Sequence, residues 1–259
     1  MKKYILDLKV VGVENPHPDY VVLRMTDTER PLPSMIPGQF VEVRVDHSPN
    51  TFLRRPISVN FVDETTNELW LLVHVIGDGT RWMAGLRVGD TVNVILPLGN
   101  GFTMEIGATE KMLLIGGGVG TAPLLYMGKL LKEQGVDTTF LLGARSGKDL
   151  LQLDEFGKYG RVLCTTEDGT KGEKGFVTQH SVFQKEGFSR IATCGPKPMM
   201  VAVSRLAKDK NIACEASLEN MMACGVGACL CCVEKTNEGN ICVCKEGPVF
   251  NVKDLLWLN

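Results

Sequence analysis

Six of the nine cysteines in this 259-residue chain fall within 223-ACGVGACLCCVEKTNEGNICVCKEGPVF-250. Cys224, Cys229 and Cys232 are spaced C-x4-C-x2-C, and Cys244 follows after eleven intervening residues. Thiolates at those intervals form the three-cysteine loop and distant fourth ligand of a plant-type [2Fe–2S] cluster. Cluster sulfur needs backbone N–H donors at close range, and Gly225 and Gly227 let the loop fold tightly enough to supply them. Composition alone does not choose between Cys231 and Cys232, although the x2 interval favours Cys232. Cys242 and Cys244 would share one face of a strand, so that choice stays open on the residues alone. A structural zinc site usually pairs two CxxC-like knuckles, and here the second element is only Cys242-Val243-Cys244. A redox pair at Cys229 and Cys232 would leave the other cysteines unexplained. Cys164 and Cys214, in or near predicted strands, read as small buried residues.

A cluster of this kind takes one electron at a time, whereas a nicotinamide gives two as a hydride. A flavin can do both, so a chain joining the two should also hold one. The stretch 115-IGGGVGTAPL-124 follows a predicted strand and opens a predicted helix. Gly116, Gly117, Gly118, Gly120 and Thr121 would let the backbone approach a pyrophosphate, whose charge a helix N-terminus favours. The spacing is not G-x-G-x-x-G, and glycines that only pack strand against helix give the same pattern. Glu167-Asp168 would disfavour a 2′-phosphate, or would simply be a solvated loop. In 53-LRRPISV-59, two arginines and a serine at a strand edge could pair with phosphate or flavin carbonyls, or form a wet surface. Gly79-Thr80, before the helical RWMAGL, is another phosphate-binding candidate.

These residues must be held by something. Residues 1 to about 104 carry short runs rich in Val, Ile and Leu: YILDLKVVGV, YVVLRMTD, QFVEVRV, ISVNFV, LWLLVHVIG and TVNVILPLG. Six strands separated by turn residues predict an antiparallel barrel. After residue 105 the rhythm alternates. KMLLIG, TTFLLGA, RVLCTTE, IATCG and ACEAS read as strands, and APLLYMGKLLKEQG, DLLQLDEF, FVTQHSVFQKEG and KPMMVAVSRLAKDKN as helices. That order predicts a parallel sheet with helices on both faces. From about 217 little periodicity remains. The expected divisions are 1–104, 105–216 and 217–259, an α+β multi-domain chain.

Charge is nearly balanced, 28 Lys+Arg against 30 Asp+Glu, so bulk electrostatics argues for neither nucleic acid nor acidic membranes as partners. Asp7 and Lys9 interrupt the only signal-like run, and Pro123 with the glycines divides the longest uncharged one, so no leader or membrane span is expected. A cytoplasmic protein whose cysteines are thiols or metal ligands is the expectation. There is no G-x-S-x-G, and His17, His47, His74 and His180 have no metal-type spacing.

The order RRPIS, GDGT, PLGNGF, GGGVGTAPL, CGPKPM, then the cysteine tail with CKEGPVF, resembles the ferredoxin-reductase superfamily over essentially the whole chain. Within it, the chain is most similar to electron-transfer subunits of type B dihydroorotate dehydrogenases. The resemblance implies an FAD-binding barrel, an NAD-binding α/β domain and a [2Fe–2S] segment. It implies that Arg55, Pro56, Ile57 and Ser58 line the flavin with Leu72, Val73 and His74, and that Gly79 and Thr80 meet its phosphates. His74 stands where the family often has arginine. The implied cluster ligands are Cys224, Cys229, Cys232 and Cys244, with Cys231 a bystander. Cys194, in CGPKPM, would steer hydride geometry at the nicotinamide end without acting as a nucleophile.

The implied partner is an FMN-containing dihydroorotate dehydrogenase catalytic subunit, two copies of each in a heterotetramer. Electrons from dihydroorotate would pass singly through this chain's cluster to FAD, and as a hydride to NAD+, in pyrimidine (UMP) biosynthesis. The chain alone would not oxidise dihydroorotate. Two other readings compete: a reductase subunit of a ferredoxin:NADP oxidoreductase, hydrogenase or sulfide-reductase complex, and a zinc-stabilised binding module without activity. Visible flavin and iron absorbance would distinguish the redox readings from the colourless zinc one.

Overall fold

The computed structural model describes residues 2–107 and 109–258. The first half is built by alternation. In β1 (Tyr4–His17) Leu6, Leu8 and Val10 point inward and are buried, while Ile5, Asp7 and Lys9 face water. It is joined by β2 (Tyr20–Thr26), β3 (Phe40–Val43), β4 (Arg55–Ser58), β5 (Phe61–Asp63), β6 (Glu68–His74) and β7 (Thr91–Leu98). These form one antiparallel sheet in the order β4-β3-β7-β1-β2-β6-β5, curled as a half-barrel. Helix α1 (Asp78–Ala84) follows β6.

Sequence periodicity read ISVNFV as one strand, but it breaks at its centre. Val59 N–H donates to Gln39 O next to β3 at 2.9 Å, and Asn60 N–H donates to Trp70 O in β6 at 3.0 Å. Successive amides thus point to opposite edges of the sheet, which is how residues 55–63 bridge the two edges and draw the barrel together.

The second half is a sheet in the order β11-β10-β9-β8-β12-β13-β16. Its strands are β8 (Lys111–Gly117), β9 (Asp137–Ala144), β10 (Arg161–Thr166), β11 (Glu173–Lys174), β12 (Arg190–Cys194), β13 (Ala213–Ser217) and β16 (Val249–Asn251). All pair in parallel except β16, which runs antiparallel to β13. The long helices are α2 (Ala122–Glu133) and α5 (Lys197–Asp209).

Two predicted helices shrink. DLLQLDEF keeps only α3 (Leu153–Gly157), because Gln152 turns left-handed at φ 53° and hydrogen-bonds Asn60 of the barrel. FVTQHSVFQKEG becomes a 3-10 turn, Val177–Gln179, and a short α4 (Val182–Lys185). The last segment is also more regular than its sequence suggested, with a hairpin β14 (Val233–Thr236) and β15 (Gly239–Cys242), then α6 (Val243–Glu246) and β16. Its strand β16 completes the second sheet, so the segment beyond 217 is woven into the unit before it.

The halves pack directly. Asn60 Nδ2 donates to Ala122 O at 3.0 Å, Tyr126 N–H donates to Asn60 O at 3.2 Å, and Lys129 pairs with Glu64. The stretches PLGNG and KEGPV meet: Asn100 N–H donates to Gly247 O at 2.6 Å, and its side-chain amide reaches the carbonyls of Lys245 and Glu246. The tail docks on its own chain, with Leu255 and Trp257 buried and Lys208 Nζ donating to Leu258 O at 3.1 Å. Among the described residues no helix is long and apolar enough to cross a membrane.

Candidate functional site

The cysteine loop runs across the outer face of β3 and along α6. Val226 and Ala228 N–H groups donate to Cys224 Sγ at 3.5 and 3.3 Å. Gly227 N–H donates to Cys244 Sγ at 3.1 Å, and Cys244 N–H to Cys232 Sγ at 3.3 Å. Gly225 and Gly227 hold φ of 65° and 83°, a region that L side chains rarely adopt and that turns successive amides inward. Amide donors from Val226 and Cys229, with a bond from the Cys229 side chain, outweigh the effect of burial and bring the Cys224 thiol down to about 6. Burial, then Cys232, pushes Cys244 up to about 12. Cys232 and Cys244 are buried and receive amide donors, Cys242 lies on the hairpin, and Cys231 is exposed, as is the expected ligand Cys229.

Among the described residues no three His, Cys, Asp or Glu side chains converge at single-ion distance. A two-iron core spreads its ligands over two metal atoms, and this donor set of four thiols with backbone amides on three sulfurs fits it.

Against the loop lies Glu42 of β3, 1 % exposed, which sequence reasoning missed. Neither carboxyl oxygen has a partner among the described residues. Burial pushes its carboxyl up to about 7, with Arg55 and Arg54 pulling the other way.

The two arginines of LRRPISV divide their work. Arg54 turns to the barrel, donating to Glu42 O and Asn93 O at 3.2 Å. Arg55 donates to Leu53 O, at 3.0 Å from Nη2, with no other side-chain hydrogen bond among the described residues, and lies beneath Gly79, where a Cβ would meet its Cγ at 3.0 Å. Pro56, Ile57 and Ser58 are half-buried along the same edge.

The side chain of Val73 lies in the barrel core and that of Leu72 packs on Ala122 and Leu151, so these two expected flavin residues would meet a ligand through their backbone. Gly79 and Thr80 lie within the first turn of α1. Ile76 and Gly77 N–H groups donate to Thr80 Oγ1 at 2.9 and 3.0 Å, so its hydroxyl serves its own helix start. His74 stacks on Tyr20 with ring centroids 4.5 Å apart.

The second sheet changes direction between β8 and β12, and ligands of such sheets bind outside the carboxyl ends of the strands at that point. Both motifs are there. The glycine-rich turn follows β8, and Cys194 ends β12. The packing reading holds for three glycines. A Cβ on Gly116 would meet Thr121 Cγ2 at 2.8 Å, on Gly117 Met199 Sδ at 2.7 Å, and on Gly120 Gly195 Cα at 2.3 Å. Gly118, at φ 57°, is the open one, where a Cβ would meet Tyr20 Oη at 3.9 Å and nothing nearer among the described residues outside its own chain neighbours. Thr121 Oγ1 donates back to Gly118 O at 3.0 Å.

Cys194 Sγ donates to Glu219 Oε1 at 3.9 Å. Burial raises both groups, Cys194 far above the usual thiol range, so a neutral thiol faces a carboxyl inclined to keep its proton. Nothing in Glu219's local sequence signals this pairing, which comes from the chain crossing β12 as it leaves β13. Asp168 accepts from Thr170 N–H and Oγ1 at 2.9 and 2.7 Å, the turn of a solvated loop.

A half-barrel with a basic strand edge, a parallel sheet with its glycine turn at the switch point, and a thiol loop between define a reductase of the ferredoxin-reductase kind. A solved NADH-dependent reduced ferredoxin-NADP oxidoreductase, studied for flavin-based electron bifurcation, is 29% identical with a TM-score of 0.84 over 96% of this chain and 90% of its own. Residues 114–205 match the oxidoreductase NAD-binding domain, and residues 219–256 the iron-sulfur cluster binding domain of dihydroorotate dehydrogenase B.

The electron transfer subunit of dihydroorotate dehydrogenase B (NAD(+)) from Bacillus velezensis is 39% identical over 223 residues, covering 85% of this chain and 86% of that one. Its counterpart from Listeria monocytogenes is 41% identical over 225 residues, covering 85% and 87%. The chain belongs to this family of electron transfer subunits.

Proposed function

We propose that this chain carries electrons from a separate, FMN-containing dihydroorotate dehydrogenase catalytic subunit to NAD+, in the cytoplasm, for pyrimidine biosynthesis. Two copies pair with two catalytic subunits. Residues 1–104 hold FAD, 105–216 take NAD(H), and 217–259 hold the cluster. A bound flavin exchanges a hydride with nicotinamide and single electrons with a [2Fe–2S] cluster, which relays them one by one.

The observation that carries the reading is the set of amides on the sulfurs of Cys224, Cys232 and Cys244, on a loop lying against the strand next to Arg55–Ser58. Cys224, Cys229, Cys232 and Cys244 hold iron, and the N–H groups of Val226, Gly227, Ala228 and Cys244 offset the charge on their sulfurs. Arg55 meets a flavin phosphate or ring carbonyl, with Pro56, Ile57 and Ser58 along the ring and the backbone of Leu72, Val73 and His74 beside it. Gly79 clears the space over Arg55, and Thr80 fixes the turn that carries it. Gly118 admits the nicotinamide nucleotide, while Gly116, Gly117, Gly120 and Thr121 shape its turn. Cys194, neutral and held by Glu219, orients the nicotinamide and forms no bond to it.

The purified chain should contain iron and acid-labile sulfide, reduce ferricyanide with NADH, and fail to oxidise dihydroorotate until its companion is added. Dihydroorotate oxidation by the isolated chain would refute the assignment. The 29% identical oxidoreductase favours a second companion, a ferredoxin-linked one. Identifying the protein that co-purifies separates the two.

A further inference from the structure

Glu42 occupies the junction of the barrel and the cysteine loop. On β3 it alternates with Val41 and Val43, which face the barrel core, so its side chain leaves on the opposite face. There it takes the space that a side chain at 225 would need. A Cβ on Gly225 would stand 2.7 Å from Glu42 Cγ and 2.8 Å from Oε1. Arg54 donates to Glu42's carbonyl, and Arg55 lies on the neighbouring strand, its β4 partner Pro56 paired with Glu42.

An anion taken out of water without hydrogen bonds costs several kcal/mol unless opposite charge faces it. Arg55 and Arg54 are the nearby cations that favour its charged form, and Cys224 opposes it. A buried carboxyl pressed against the glycine that follows a cluster cysteine, with both oxygens unpartnered among the described residues, adds nothing to local packing that an apolar residue would not.

We propose that Glu42 is a positioning residue for the cluster: its side chain seats the loop at Gly225, and its charge lowers the electron affinity of the iron bound at Cys224. The inference rests on the cluster reading above. A negative charge at the loop opposes the arrival of an electron, and it screens the cluster from the cations of Arg54 and Arg55. Neutralising it at constant shape therefore moves the cluster's midpoint potential in the positive direction, while the flavin stays bound.

The test is an anaerobic redox titration of the full chain at alkaline pH, where the Glu42 carboxyl carries its charge, followed by the paramagnetic signal of the reduced cluster, after iron and acid-labile sulfide are counted. Glu42→Gln should load iron like the parent and reduce at a more positive potential. Glu42→Asp, which keeps the charge, should stay with the parent. Gly225→Ala, which drives a methyl onto the carboxyl, should lose iron or change the signal, and Glu42→Ala in the same chain should recover part of that loss, which backbone strain at 225 alone would not allow.

A parent protein without iron or sulfide would refute the cluster reading itself. A loaded Glu42→Gln at the parent's potential would refute only the role of Glu42. So would a Gly225→Ala protein with full iron, an unchanged signal and the parent's potential, whether or not Glu42→Gln can be prepared.

Discussion

Half-buried Cys224 receives two backbone amides, while exposed Cys231 receives none among the described residues. That contrast predicts a sharp division among single substitutions. Cys224→Ser and Cys244→Ser should each lose most of the iron, whereas Cys231→Ser and Cys242→Ser should retain the parent's iron and visible spectrum, as metal analysis would record. The spacing of the loop was legible because ligand intervals are fixed by cluster geometry. Glu42 was not, since one glutamate in QFVEVRV reads as an ordinary outward residue, and its burial comes from a segment far along the chain.

His180 shows a second kind of hidden residue. Its Nδ1 accepts from Val182 N–H at 3.0 Å where the predicted helix breaks, and burial holds the imidazole below its usual value, with Glu173 pulling upward. Lys185, Arg161 and Glu186 also act on it. The unfolded chain takes up that proton first, so the stability is present above about pH 6.5 and is lost as pH falls below it. Urea midpoints of the parent and His180→Asn should therefore converge between about pH 8 and about pH 5.

At the scale of elements, α2 shows how packing overrides propensity. Gly128 lies mid-helix, where alanine would ordinarily add about 1 kcal/mol. A Cβ there would meet Phe140 Cζ at 2.3 Å, and Phe140 is fully buried, with its ring 4.9 Å from that of Phe156. Overpacking of this kind costs about 1–3 kcal/mol, so Gly128→Ala should lower the melting temperature despite the better helix former. Phe140→Leu in the same chain should recover part of the loss, a coupling that a double-mutant cycle measures.

The elements themselves were largely legible, because burial on one face imposes periods of 2 and 3.6 that composition reveals. The misreadings occurred where a neighbour overruled the local pattern. Val59 and Asn60 split a continuous apolar run by bonding to opposite sheet edges, and Gln152 left helical backbone to reach Asn60. The glycine turn was ambiguous for the same reason, since Gly120 answers to Gly195, which sequence cannot place beside it.

Across the whole molecule, the cluster-bearing segment has two attachments of different kinds. The cysteine loop is held by four amide–sulfur bonds, and bound iron would add to its stability through mass action. The rest is held by ordinary structure: β16 on β13, Leu218 N–H donating to Pro248 O, Val252 N–H donating to Cys214 O, and Trp257 buried with Lys197 Nζ 5.8 Å above its ring. Removing iron with a chelator should therefore speed hydrogen exchange at 224–232 and leave the amides of Val249–Asn251 protected. Trp257→Ala should act in the reverse order. It deletes a large side chain whose burial stabilises the fold by about 3–5 kcal/mol, and it frees the tail from α5 while leaving every thiol in place. Its signature would be a lower urea midpoint for the whole protein, with early loss of protection at β16, and iron binding intact in the folded fraction. If instead Trp257→Ala lost iron at full stability, the tail would belong to the cluster loop and not to the second sheet.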